Sequence, residues 1–371
     1  MKILHLASGR LYGGIERMLA TLAESADAAG TLVFEFALAS DGRLAEELRD
    51  RAATVHPLGN VRLSRPASVM RARQRFRALL RERGYAAVIC HAPWSHAIFG
   101  RSVRPSGAAC VLWQHDRAEG RSFVERASRS IGADLVICNS RWTAQTAAVL
   151  QPAAPHRVIY CAVATPSASP DERSRVRAEL GASPSDVVVL SASRIEPWKG
   201  HLDLIRALAS LPARPWALWV AGGPQRPKER EYATALEREV RRLGLERRVT
   251  FLGERRDVPR LLTGADLLSQ ANVKPEPFGV IFAEALLASV PVVTTSMGGA
   301  AEIVAESCGR LVPPGSVAAL AAALDELISD APLRASLGAA GPAHASERCH
   351  PAVVLAQLEA ALLSVPVSSA A

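Results

Sequence analysis

Short apolar runs alternate with amphipathic helical stretches along this chain, and the alternation stops once and then begins again. In the first half the runs Lys2–Ala7, Leu32–Ala39, Ala87–His91, Ala109–Gln114, Asp134–Cys138 and Val158–Ala162 have strand length. Helical patterns such as Ile15–Ala28, Ala67–Arg83 and Arg141–Leu150 lie between them. Strand then helix, repeated, implies a parallel sheet covered on both faces. The stretch Ala164–Ser174 is rich in Pro, Ser and charge and reads as a linker. Beyond it the alternation restarts with Val187–Ala192, Ala217–Ala221, Val249–Leu252, Asp266–Ser269, Val292–Thr295 and Arg310–Val312. The expected fold is α/β: two tandem Rossmann-like, doubly wound parallel-sheet domains, residues 1–165 and 175–345, facing a cleft. Open sheets of this kind bind ligands at the carboxyl ends of their strands.

A chain of 371 residues, 49% hydrophobic, can fill two such cores. No apolar run approaches the length that spans a bilayer. The opening MKILHLAS turns polar too early for a signal peptide, so a cytoplasmic location is expected. The cysteines Cys90, Cys110, Cys138, Cys161, Cys308 and Cys349 show no metal spacing and are read as reduced core residues.

Charge is uneven. Residues 1–165 hold 22 Lys and Arg against 13 Asp and Glu, whereas residues 166–371 hold 22 against 23. Such a field suits an anionic membrane surface, a phosphorylated acceptor or nucleic acid. No recognition motif accompanies the charge, which argues against nucleic acid. Eight arginines and one acid, Glu82, fall between Arg62 and Arg83. On a helix there, Val69, Ala72, Phe76 and Leu79 or Leu80 would line one face, with Arg71, Arg75 and Arg81 off it. That is a membrane-surface pattern, or equally the stripe a surface helix presents to its own sheet.

Three segments carry candidate chemistry. In EPFGVIFAE, Glu276 and Glu284 flank Phe278, Gly279 and Val280 at the start of an apolar helical run. Gly279 lets backbone amides approach an anion at a helix N-terminus, Glu276 could hold sugar hydroxyls, and Glu284 could accept hydrogen bonds from a diol. In SRIEPWKG, Arg194 and Lys199 follow a strand, where a diphosphate would be expected. In SGRLYGGIERM, Gly13 and Gly14 permit a close turn into a helix. His91, Trp94 and His96 follow another strand and are acceptor-side candidates, Trp94 either stacking on a sugar ring or packing under its loop.

With AGGP at Ala221–Pro224, VTFLG at Val249–Gly253, GGAAEIV at Gly298–Val304 and GRLVPPG at Gly309–Gly315, the order and spacing of these segments resemble the retaining glycosyltransferases of family 4. The resemblance implies the GT-B fold and transfer of a sugar, with retention, from a nucleotide diphosphate donor. It implies that Glu284 binds the donor ribose and that Glu276, with amides near Phe278, Gly279 and Val280, holds the sugar and diphosphate. Arg194 and Lys199 would stabilise the leaving diphosphate. The loop around Arg255 would receive the base, and Gly14 would approach the sugar–phosphate. His115, in WQHD, matches the family's histidine near the transferred sugar. The run Gln270–Pro275 departs from the Pro-Ser usual there, and Lys274 is an added cation.

No D-x-D occurs, so no metal and no cofactor is expected, the UDP- or GDP-sugar being a substrate. The expected acceptor is a lipid-linked or polysaccharide-precursor glycan, with peripheral association at the inner face of the cell membrane. The alternatives are a small soluble acceptor, phosphorylated or a secondary metabolite, or an enzyme like the nucleotide-sugar 2-epimerases. The resemblance further implies that a final helix, about 346–371, packs back on the first domain; Val353, Leu355, Leu358 and Leu362 give it an apolar face.

Overall fold

A computed structural model describes residues 1–29, 31–166, 169 and 171–365, with 26–29 as backbone only. The chain divides into two compact units, Met1–Val163 joined by the segment from Cys349 onward, and Ala164–Arg348.

In the first unit the described residues form a parallel seven-stranded sheet. Its strands are β1 (Lys2–Ala7), β2 (Val33–Leu38), β3 (Thr54–Pro57), β4 (Ala87–His91), β5 (Ala109–Gln114), β6 (Leu135–Cys138) and β7 (His156–Val158), in the order β3-β2-β1-β4-β5-β6-β7. In the second unit β8 (Val187–Ala192), β9 (Trp216–Ala221), β10 (Val249–Gly253), β11 (Leu267–Gln270), β12 (Val292–Thr295) and β13 (Gly309–Val312) form a parallel six-stranded sheet, ordered β10-β9-β8-β11-β12-β13. Every residue of β4 and of β8 is buried, as strands covered on both faces require. The strand order reverses between β1 and β4 in one sheet and between β8 and β11 in the other. Loops part at such switch points and leave room for ligands.

The apolar stripe of the arginine-rich helix Pro66–Arg83 is spent on its own sheet: Ala72, Phe76, Leu79 and Leu80 are buried in one core with Leu4, Leu6 and Val88. The run Val158–Ala162 is not a strand. Its neighbour β6 ends at Cys138, so pairing stops at Val158. The buried residues that follow pack against the returning chain, where Val163 N donates to Cys349 O at 2.9 Å.

The helix expected over Arg141–Leu150 breaks into Arg141–Ala144 and Ala147–Leu150. Thr146 Oγ1 accepts from Ala118 N and Gln114 Nε2 and donates to Thr143 O, contacts that hold this residue out of helical geometry. At the far end one helix runs from Ala331 to Cys349, and the next, Pro351–Leu363, lies against Gly14–Ala29 with Val354, Leu355, Leu358 and Leu362 buried. Residues 366–371 lie outside the described residues. All six cysteines are unbridged and buried. Among the described residues no helix is long and apolar enough to cross a membrane.

Candidate functional site

At the carboxyl ends of β8, β11 and β12, three loops converge on the carboxylate of Glu276. Its Oε2 accepts from Lys199 Nζ at 2.6 Å, Asn272 Nδ2 at 3.1 Å and Gln270 Nε2 at 3.2 Å. The donors are themselves held. Gln270 Nε2 also reaches Asn272 Oδ1 at 2.9 Å, and the hydroxyls of Thr294 and Thr295 on β12 donate to the carbonyls of Gln270 and Asn272 at 2.8 and 2.9 Å. Glu276 Oε1 has no protein partner among the described residues. A carboxylate with one oxygen saturated and the other open can accept hydrogen bonds from hydroxyl groups in a fixed direction.

Glycines make this convergence possible. Gly200 has φ +73°, and a Cβ there would lie 1.7 Å from Ala271 O, so the turn carrying Lys199 can touch the β11 loop only with glycine at that position. A Cβ on Gly298 would lie 2.2 Å from Glu276 O, and the amide of Gly299 donates to the same carbonyl at 2.7 Å. The backbone of Glu276 is thereby fastened to the loop after β12.

Arg194 Nη2 pairs with Glu196 Oε2 at 2.9 Å, and Trp198 Nε1 donates to that oxygen at 3.0 Å. The other arm of Arg194, Nη1, is buried without a hydrogen-bond partner among the described residues. A guanidinium anchored on one side with a bare donor on the other is built to meet an anion. Burial, with Lys199 nearby, holds His201 down at about 4, so this imidazole is neutral and bonds Ser193 Oγ through Nε2 at 3.1 Å.

Gly279, at φ +92°, opens the helix Val280–Leu287, and a Cβ there would strike the ring of Phe282 at 2.3 Å. Phe278, Val280 and Glu284 are buried. Lys274 is exposed. Arg255 is clamped by Asp257 at 2.8 and 2.7 Å, in a network that includes Glu179 and Arg260. Its side chain is therefore engaged, leaving the loop's backbone to do any binding.

In the first unit His91 and His115 come together. His91 Nδ1 lies 2.9 Å from His115 Nε2, and His91 Nε2 lies 2.9 Å from His5 Nδ1. His96 is not brought to this group. Its ring bonds Ser128 Oγ at 2.8 Å and Gly132 O at 3.2 Å, bridging two helices inside the fold. Trp94 packs against the core that contains Phe76 and Phe99. A Cβ on Gly13 would meet nothing nearer than Glu16 Oε2 at 3.7 Å, so the protein itself does not require glycine there. Gly14 is the first residue of the helix Gly14–Ala29.

Two family models match successive parts of this chain, Glycosyltransferase Family 4 over residues 12–166 and Glycosyl transferases group 1 over 172–344. A GDP-mannose-dependent alpha-(1-6)-phosphatidylinositol monomannoside mannosyltransferase of Mycolicibacterium smegmatis is 31% identical over 265 residues, which is 66% of this chain and 68% of that one. The chain belongs to glycosyltransferase family 4. A GDP-mannose-dependent monoacylated alpha-(1-6)-phosphatidylinositol monomannoside mannosyltransferase of Corynebacterium glutamicum is 33% identical over 188 residues, 48% of this chain and 47% of that one. The chain spans about half the length of several other curated relatives it matches, this one among them. The crystal structure of Anabaena HepE in complex with UDP and glucose superposes with a TM-score of 0.85 at 29% identity, covering 98% of this chain and 100% of that one. The two parallel α/β units are those of the GT-B class.

In this family 4 chain the residues missed from sequence were Gln270 and Asn272, which orient Glu276, Glu196, which anchors Arg194, and His5. The departure from Pro-Ser at Gln270–Pro275 was the available signal for the first two: it puts two amide side chains ahead of the carboxylate. His5 gave none, because a strand buried on both faces shows no alternation that would set one polar residue apart.

Proposed function

We propose that this protein is a retaining glycosyltransferase that uses a UDP- or GDP-sugar, without a metal, to extend a lipid-linked or polysaccharide-precursor glycan. The observation that carries this reading is the Lys199–Glu276 pair with its amide cradle, beside an Arg194 arm left unpartnered. Glu276 Oε1 would take hydroxyls of the donor sugar. Arg194 Nη1, Lys199 and the amides opening the helix Val280–Leu287 would neutralise charge on the departing diphosphate, usually the largest catalytic contribution. The bond from anomeric carbon to phosphate oxygen breaks as the acceptor oxygen closes on the same face, and the acceptor's proton leaves with the diphosphate. Glu284 would take the ribose. The mannosyltransferase relatives and the UDP complex of HepE support a nucleotide-sugar donor.

A membrane-bound acceptor is favoured by one feature. Arg73, Arg77 and Arg101 rim a groove of about 360 Å³ whose lining residues include no carboxylate. Arg73 Nε is tied to Ile98 O at 2.7 Å and Arg77 Nε to Ser102 Oγ at 3.2 Å, which leaves their outer nitrogens for anionic headgroups. The exposed Met70 lies one turn before Arg73 on the same helix.

A panel of UDP- and GDP-sugars tested for protection against heat, followed by NMR of the product, decides the donor and stereochemistry. One donor should raise Tm and give a product of unchanged anomeric configuration. An inverted product, or no stabilising nucleotide sugar, would sink the reading.

A further inference from the structure

Three histidines from three neighbouring strands form one hydrogen-bonded row across the switch point of the first sheet. His5 lies within β1, His91 ends β4, and His115 follows β5 directly. Both junctions are 2.9 Å between ring nitrogens, both centroid separations are 5.2 Å, and the interplanar angles are 21° and 18°. Those values together describe rings joined edge to edge in nearly one plane, not rings stacked face to face. The backbone on either side is pinned: Ser95 Oγ donates to His91 O at 2.8 Å, and Asn139 Nδ2 to His115 O at 3.3 Å. Trp113 lies beside both His91 and His115, at centroid distances of 5.4 and 5.7 Å.

Counting protons limits this row to two arrangements. Burial holds His5 and His115 near 3 and pushes His91 well down too, so each ring is neutral and carries one N–H. Each junction needs one proton, which leaves a third for two ends. It sits either on His115 Nδ1 or on His5 Nε2, and moving it reverses both junctions at once. Neither terminal nitrogen has a hydrogen-bond partner among the described residues. The His5 end is closed by Phe34 and Phe36, with ring centroids at 4.6 and 5.4 Å. A buried N–H without an acceptor is the rarer and costlier of the two defects. The same orphan would arise at either end, but His5 is fully buried, whereas His115 stands just past the carboxyl end of β5 with 6% of its surface exposed. A ligand's acceptor can meet an N–H only there, so the proton belongs on His115.

We propose that His5 and His91 are positioning residues that hold His115 in the tautomer with its proton on Nδ1, so that His115 offers a hydrogen-bond donor to an oxygen of its ligand. In this arrangement His5 Nδ1–H donates to His91 Nε2, and His91 Nδ1–H donates to His115 Nε2. The tautomer assignment stands on the geometry of the row. Its effect on rate rests on the proposed transferase reading.

Long-range ¹H–¹⁵N NMR of histidine-labelled protein, with no ligand added, reads the tautomers directly. Wild-type protein should show His115 protonated on Nδ1. His5→Phe should convert His115 to a mixture of tautomers, while His5→Asn, whose amide can donate from the Nδ1 position, should restore the single form. With an active donor, His5→Phe should lower kcat by about tenfold while the donor KM changes little, a size typical for loss of an orienting partner. His5→Asn should recover most of that loss. His115 found protonated on Nε2 in the wild type, or unaltered in a folded His5→Phe variant, would overturn the proposal. Failure of every nucleotide sugar would count against the transferase reading alone, since the NMR experiment needs none.

Discussion

Lys199 and Glu276 are separated by 77 positions in the chain and meet at 2.6 Å, bringing the loop after β8 against the loop after β11. Both side chains are nearly buried, at 12% and 13% exposure, so the pair is sheltered from the screening that weakens surface ion pairs. Glu276 keeps two amide donors without Lys199, whereas Lys199 without Glu276 would lose its only carboxylate partner among the described residues. Lys199→Ala should therefore cost about 1.5 kcal/mol of stability, the low end of the range for one hydrogen bond to a charged group. Its effect on turnover should be larger, about a hundredfold, as for loss of one preorganised donor. Steady-state kinetics beside urea unfolding separates the two, and equal losses would contradict a role on the diphosphate.

Chelation should leave activity intact. In the mechanism proposed above, the charge on the diphosphate is taken up by Arg194 and Lys199. Turnover in EDTA should match turnover in Mg²⁺ or Mn²⁺. Loss of activity restored by either ion would require a different mechanism.

Gly200→Ala should destabilise the second unit far more than Gly181→Ala. Both positions have positive φ, +73° and +69°, so both pay roughly 1–2 kcal/mol for placing a Cβ in the left-handed region. Only at Gly200 does the new atom collide with backbone, 1.7 Å from Ala271 O, whereas nothing lies within 4 Å at Gly181. Urea titrations should separate the two variants by about 2 kcal/mol or more.

Glu35 predicts an acid-sensitive step in the first unit. Burial raises its pKa, but Lys2 at 2.8 Å, Tyr85 at 2.6 Å and His56 at 2.6 Å outweigh burial and hold it at about 2. A carboxylate depressed by folding stabilises fully above its unfolded value, near 4.5, and that stability disappears as pH falls toward 2. Glu35→Gln should lower stability at pH 7, on the order of 2 kcal/mol for a buried group losing charged partners. The difference from wild type should shrink between pH 4.5 and 2. A gap independent of pH would assign the loss to packing.

Arg73→Glu with Arg77→Glu should abolish sedimentation with anionic vesicles at low salt and leave turnover on a soluble acceptor analogue unchanged. The apolar stripe of their helix is committed to its own core, so attraction rests on charge and should fade with ionic strength. Binding that persists in the double variant would move the contact elsewhere.

Most strands of both sheets were legible because strands buried on two faces leave unbroken apolar runs, as in β4 and β8, whereas the edge strand β3, with no buried residue, left none. What escaped was decided by partners distant in sequence. Val158–Ala162 has strand composition but no neighbouring strand left to pair with, and Thr146 leaves the helix because Gln114 and Ala118 engage its hydroxyl. At the site, Arg194, Lys199, Glu276 and Gly279 could be read from their motifs. Their supports could not: Glu196, Gln270 and Asn272 have no fixed meaning until the loops of β8, β11 and β12 meet.

The segment from Cys349 onward belongs to the unit that begins at Met1, while residues 164–348 form the other unit in one unbroken stretch. During synthesis this means the internal unit has all its parts before the outer one does. The helix Gly14–Ala29 must wait, its partner surface uncovered, until Pro351–Leu363 has left the ribosome. Truncation before Pro351 would thus injure the amino-terminal unit, more than 180 residues away in sequence, and spare the unit it adjoins.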